Sequence, residues 1–350
     1  MMSRPIALID KLRQERRLSA GEFIELLNTL DEPSRQYLFR QASEVRRQVY
    51  GTDVYLRGLI EFTNYCRNNC YYCGIRRGNS AVQRYRLTPQ EILACCEQGY
   101  RLGIRSFVLQ GGEDAANSDA YLVELVHAIK TSYPDCAVTL SVGERSQDSY
   151  RALFAAGADR YLLRHETANE AHYALLHPSS MSWEHRRRCI EQLKQIGYQV
   201  GCGFMVGSPG QTMAHLAEDL LYIRSLEPHM VGIGPFIPQQ DTPFAQQPAG
   251  SVELTLTLLA VIRLLVPDVL LPATTALGTL CANGRERGLL AGANVVMPNI
   301  SPAYARANYL LYDNKLNSGS EAVEGYHELL RSIEGIGYHA VSSRGDCLRR

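Results

Sequence analysis

Residues 57–74 read RGLIEFTNYCRNNCYYCG, a short apolar run followed by a loop carrying Cys66, Cys70 and Cys73 in C-x3-C-x2-C spacing. Three thiolates this close along one loop can converge on a single metal centre. A cuboidal four-iron cluster takes one ligand per iron, so three cysteines leave one iron open to an outside ligand. An open iron implies chemistry at the cluster and not electron storage alone. Zinc and buried free thiols are the other readings of the same spacing.

Working outward, the apolar run at 57–62 is the first of eight. Further short β-like runs fall at 106–109, 137–140, 160–164, 199–204, 230–233, 269–272 and 294–297. Helical stretches lie between them, near 88–102, 118–132, 147–156, 182–196, 211–226, 252–266 and 278–291. Thr88-Pro89 with Glu91, Ser182 followed by Glu184, and Thr212 after Pro209-Gly210 mark helix starts. Eight strands alternating with helices predict a parallel α/β architecture, and the count is that of a (β/α)8 TIM-type barrel. Residues 4–48 lack strand signals and predict two or three amphipathic helices. The expected division is an N-terminal helical extension (1–50), a barrel (51–315), and a C-terminal helical segment with a tail (316–350).

The unusual residues fall just after the strands. The cysteine loop follows the first, Gly111-Gly112-Glu113-Asp114 the second, and His165-Glu166-Thr167 the fourth. Gly207-Ser208-Pro209-Gly210 follows the fifth, PFIP at 235–238 the sixth, and Thr274-Thr275 the seventh. In a parallel barrel these loops share the C-terminal face, where active sites lie. The Gly207–Gly210 turn lacks a phosphate-loop lysine, which argues against nucleoside triphosphates.

Composition bounds the rest. The 350 residues are 45% hydrophobic and 21% charged, with 36 Lys+Arg against 36 Asp+Glu and no basic tract, so nucleic acid is a poor partner. No apolar run approaches the roughly 20 residues a membrane span needs. The N-terminal segment has no signal-peptide core, and ten cysteines then suit a reducing, cytoplasmic setting.

The cysteine loop, with Tyr72 before the last cysteine, resembles the radical S-adenosylmethionine (SAM) superfamily, and the Gly111-Gly112-Glu113 turn resembles its motif for the methionine amino group. Five later segments resemble the HydE family of [FeFe]-hydrogenase maturases: RYLLRHETAN (160–169), MVGSPGQT (205–212), MVGIGPFIP (230–238), PATTALGT (272–279) and GANVVMPN (292–299). The resemblance covers about residues 10–340. It implies a [4Fe-4S] cluster on Cys66, Cys70 and Cys73, and SAM on the open iron. It also implies a 5′-deoxyadenosyl radical acting on a small organometallic iron–cysteine substrate, with an electron donor and other maturation proteins as partners. Some members carry a second cluster on three C-terminal cysteines. Here residues 315–320 contain none and Cys347 stands alone, which removes an auxiliary-cluster mechanism.

The resemblance assigns Tyr72, Gly112, Glu113, Arg164, Glu166 and Arg186 to SAM binding, with Gly112 and Glu113 holding the ammonium and Arg186 the carboxylate. The plainer readings are a tight turn for Gly112 and Glu113, a barrel ion pair for Arg164 and Glu166, and a solvated helix face for Arg186. Thr274, Thr275, Met297, Tyr309 and Tyr312 are candidate cavity residues, the two tyrosines closing the mouth. His165 reads equally as a buried structural histidine. The remaining seven cysteines read as small apolar fillers. The competing functions are a PylB-like lysine mutase making methylornithine, sulfur insertion of the biotin-synthase kind, and a metal-binding protein without catalysis.

Overall fold

The computed structural model describes residues 3–316 and 322–349. Residues 317–320, part of the stretch expected to lack a second cluster site, lie outside the described residues.

The strands are β1 (Asp53–Leu56), β2 (Gly58–Thr63), β3 (Ser106–Gly111), β4 (Ala137–Ser141), β5 (Arg160–Leu162), β6 (Gln199–Cys202), β7 (Met205–Val206), β8 (Met230–Val231), β9 (Gly234–Pro235), β10 (Val295–Val296) and β11 (His339–Val341). β2, β3, β4, β5, β6 and β8 form one parallel sheet in that order. Parallel bridges Met230–Leu270, Pro272–Val295 and Leu59–Asn299 carry the ladder round to β2 again, so eight positions close into the expected (β/α)8 barrel. The continuous apolar character of the runs follows from burial on both faces: every residue of β2 is buried.

The differences from expectation are local. The run 269–272 joins only through single bridges. The helix expected over 278–291 is two, Thr275–Leu280 and Gly284–Leu290. The run 199–204 breaks at Gly203, where φ is +152° and a Cβ would lie 2.0 Å from Gly232 O. Beyond the break, β7 pairs with β9. β1 and β11 were not predicted; β11 lies parallel to β1.

Three helices precede the barrel: Arg4–Glu15, Ala20–Thr29 and Glu32–Tyr50. Their role is legible in the helix Val252–Leu265, VELTLTLLAVIRLL, which is apolar nearly all round and so needs cover on its outer side. Glu32–Tyr50 packs on it, and Thr255 through Leu265 are all buried. The opposite, N-terminal end of the barrel is closed by the C-terminal tail: Asp346 accepts from Gln199 Nε2 at 2.8 Å and from the fully buried Arg160. No helix among the described residues is long and apolar enough to cross a membrane.

Candidate active site

The cysteine loop leaves β2 and is fixed on three sides. Tyr71 N donates to Leu176 O (3.0 Å), Gly74 N to Leu311 O (2.9 Å) and Arg67 N to Glu113 O (2.9 Å). Arg84 reaches across it, donating to the carbonyls of Ile75 (2.8 Å) and Asn79 (3.1 Å) and also to those of Asn64 and Arg76. Gly112 is required here by close approach: a Cβ would lie 2.3 Å from Tyr65 O and 2.6 Å from Cys66 Cβ.

Cys66, Cys70 and Cys73 are free and half-buried. Burial pushes the Cys73 thiol up to about 12, with repulsion from Cys66 adding to it. Burial also raises Cys70, where Cys73 repels and Arg186 opposes, and raises Cys66. Thiols held this high ionise readily only beside a cation, which iron would supply. Among the described residues no three His, Cys, Asp or Glu side chains converge tightly enough for one metal ion. A cluster asks something different, since each cysteine ligates its own iron.

The second wall of the site is β5 and its loop. Glu166 is buried with φ +63°, a left-handed conformation that is uncommon outside glycine and is held in place by its surroundings. Its N–H donates to Gly203 O (3.0 Å). The preceding His165 is wholly buried; its Nδ1 accepts from Gly203 N–H (3.2 Å), so Nε2–H donates to Asp219 Oδ1 (3.2 Å). Asp219 also accepts from Ala168 N–H (2.6 Å). His165 therefore pins the loop that carries Glu166. Arg164 Nη2 lies 3.2 Å from Glu166 Oε2. The approach is off the hydrogen-bond line, so Arg164 Nε, Arg164 Nη2 and Glu166 Oε2 are buried without partners.

Arg186 is buried, not part of a solvated face. It donates from Nη1 to Arg164 O (2.8 Å) and from Nε to Glu144. Glu113 is spent within the protein: Oε2 accepts from Arg67 Nε (2.9 Å) and Oε1 from Glu144 N–H (2.8 Å). An ammonium contact there would fall to its backbone. Tyr72 packs edge-on against His177, whose Nδ1–H donates to Tyr173 O (3.0 Å), leaving Nε2 to accept the Tyr72 hydroxyl (3.2 Å).

Inside the barrel lies a cavity of about 230 Å³ that Arg164, Thr274, Thr275, Met297, Tyr312, Tyr72 and Cys73 all line. Tyr309 does not; it is 2% exposed in the core, and only Tyr312 faces the cavity. Sequence reasoning missed Arg57, Glu61 and Lys315 on the cavity wall. The available signal was an acid inside an otherwise apolar strand. Arg57 donates from Nη1 to Met230 Sδ (2.8 Å), but its buried Nε and Nη2, like Thr274 Oγ1, have no partner. Glu61 Oε2 accepts from Asn299 Nδ2 (2.8 Å) and Oε1 from Lys315.

A closed parallel barrel with a three-cysteine loop after its first strand is the architecture of radical SAM enzymes, and residues 60–223 match the Radical SAM superfamily. The [FeFe] hydrogenase maturase subunit HydE of Thermotoga maritima is 45% identical over 310 residues, covering 88% of each chain. The 3-methylornithine synthase of Methanosarcina acetivorans is 28% identical over 334 residues, covering 94% of this chain and 92% of that one. Among solved structures, methylornithine synthase (PylB) superposes with a TM-score of 0.83 at 27% identity, covering 95% of this chain and 97% of that one. The maturase HydG gives 0.80 at 21%, covering 96% and 75%, and speaks for the fold alone. The chain belongs to the HydE family of [FeFe]-hydrogenase maturases, and is a radical SAM enzyme of hydrogenase maturation.

Proposed function

We propose that the enzyme acts on a compact, anionic, cysteine-bearing iron species during assembly of the diiron cofactor of [FeFe]-hydrogenase, at a cluster held by Cys66, Cys70 and Cys73. The observation that carries the substrate reading is the charge balance of the cavity. Of the three cations that line it, Lys315 is paired with Glu61 and Arg164 with Glu166, so Arg57 is the one without a carboxylate, and its buried Nε and Nη2 have no partner. Unpaired buried donors are costly and are relieved by an acceptor brought by a ligand. When bound, the cluster and SAM supply one-electron reductive cleavage and a 5′-deoxyadenosyl radical.

The chain's own residues hold and orient. Gly112 lets the cysteine loop close against β3. Arg164 and Glu166, with unfilled hydrogen-bonding capacity and a strained, pinned backbone, would grip the polar methionine end of SAM. Arg186 would hold its carboxylate through a charge already balanced by Glu144. Tyr72 packs the loop from behind through His177. Thr274, Thr275, Met297 and Tyr312 would shape the substrate end and keep water out, with Tyr309 supporting from the core. The division into extension, barrel and C-terminal segment at 50 and 315, a cytoplasmic setting for ten unpaired cysteines, and reliance on an electron donor and other maturation proteins complete the reading.

The test is to incubate reduced enzyme with SAM and either lysine or a cysteine-type iron complex, following 5′-deoxyadenosine. Turnover confined to the cysteine-type species is expected. Faster, product-forming turnover with lysine would establish a mutase instead.

A further inference from the structure

Among the described residues lining the cavity, Glu61 is the one carboxylate, and it is 1% exposed. A buried carboxylate in a cavity of this size is where a substrate ammonium group would dock. The chain fills that place itself. Lys315 enters from the segment after Tyr309, its side chain 9% exposed, and donates to Glu61 Oε1 and to Tyr309 O (2.9 Å). Its ammonium also sits 4.9 Å from the centre of the Tyr309 ring. Glu61 Oε2 is taken by Asn299, and its backbone by Ser301 Oγ (2.8 Å) and the Tyr85 hydroxyl (2.6 Å). The carboxylate's charge is thus already balanced by Lys315, and each of its oxygens already accepts a hydrogen bond. Arg57 and Arg164, by contrast, retain open donors.

We propose that Lys315 is a specificity-determining residue: a built-in counter-ion that occupies Glu61, excludes substrates bearing an ammonium side chain, and leaves the cavity selective for anions. The inference rests on the anionic-substrate reading above. Two features make it more than ordinary ion pairing. Both partners line the cavity, and Lys315 lies on the same segment as Leu311 and Tyr312, which also line it. The pair therefore ties this part of the wall to β2, and the choice of charge and the closure of the cavity depend on one contact.

The test measures binding without SAM or reductant, so a failure of SAM cleavage leaves it untouched. L-lysine and L-norleucine, which share a stem and differ by the ammonium group, are titrated into the chain by calorimetry. Wild type is expected to bind lysine no more tightly than norleucine. In Lys315→Met, Glu61 is released and lysine should gain at least about tenfold over norleucine, the worth of one charged hydrogen bond. The gain should vanish in Glu61→Gln/Lys315→Met, a variant that removes both charges of the pair, and in Lys315→Arg. A tenfold lysine preference in wild type would overturn the proposal whatever the variants do. So would a Lys315→Met protein that melts like wild type yet shows no gain, or a gain that persists in the double variant.

Discussion

Replacing Gly112 with alanine adds a single methyl group at the point where the cysteine loop rests on the end of β3. Its carbon would fall 2.3 Å from Tyr65 O and 2.6 Å from Cys66 Cβ, against about 3.4 Å for ordinary contact. Neither neighbour is the end of a flexible side chain, so about 1 Å of relief must come from the backbone on either side. Overpacking of this kind costs about 1–3 kcal/mol. If the loop yields, Cys66 moves by a similar distance relative to Cys70 and Cys73, and a misplacement of 1 Å in a catalytic array can cost about a hundredfold in rate. We expect Gly112→Ala to reconstitute with well under four irons per chain, or to hold iron but cleave SAM at least about tenfold more slowly. Gly21 is the control, lying in the helix Ala20–Thr29 with nothing within 4 Å of its would-be Cβ. Gly21→Ala should leave both readouts intact and gain about 0.5–1 kcal/mol in stability. Iron content and 5′-deoxyadenosine production are measured on both proteins after anaerobic reconstitution. If Gly112→Ala matches Gly21→Ala in both, the close approach does not position the loop.

Changing Cys66, Cys70 or Cys73 singly to Ala should abolish SAM cleavage, and wild type should hold about four irons, not eight; normal turnover by all three variants would refute the ligand set. Glu166→Ala and Arg186→Ala should weaken SAM binding about ten- to a hundredfold while iron content changes little, as equilibrium binding to reconstituted protein would report; unchanged affinity in both would make them structural ion pairs only. Burial holds His172 down to about 4, and burial with the Arg186 charge holds His177 down to about 3. Because the unfolded chain takes up these protons near pH 6.5 and the folded chain does not, their stabilising effect is complete above that pH. It is lost on acidification by up to about 1.4 kcal/mol per pH unit for each ring, down to the folded values. Urea midpoints of the apo chain should fall below pH 6.5, and more gently in His172→Gln/His177→Gln; an equal slope in that variant would assign the acid sensitivity elsewhere.

The elements that could be read in advance were those whose signals are local. Thr88 caps its helix, its hydroxyl accepting from Glu91 N–H while the Glu91 carboxylate accepts in return from Thr88 N–H, as its spacing promised. The loops that carry chemistry follow strands because a parallel barrel puts them all at one end. What stayed hidden depends on distant pairing. β1 and β11 are single short strands with mixed burial, joined across nearly three hundred residues, and no periodicity betrays such a contact. Arg186 sits in an Arg-Arg-Arg run that reads as solvated, yet the turn of its helix brings this one guanidinium under Arg164 O and Glu144. Tyr309 and Tyr312 are three residues apart, but the chain between them is irregular after the helix Ala303–Asn308, so helical spacing said nothing about which would face inward.

The same distant pairing sets the charges on the cavity wall. β2 carries two ionisable neighbours of the cavity wall, Arg57 before its first residue and Glu61 within it, and both are fully enclosed. Burial pushes the Glu61 carboxyl up and the Arg57 guanidinium down, each towards neutrality, and only specific partners can restore the charge. Lys315 and Asn299 do so for Glu61. For Arg57 the sulfur of Met230 is a weak acceptor and two nitrogens stay open. The barrel strands thus set out an acid and a cation at fixed depth, and on the proposal above Lys315, from the irregular segment beyond the last barrel strand, decides which of them a ligand meets. Substrate charge can then change through that segment without altering the cysteine loop or the pinned turn at Glu166.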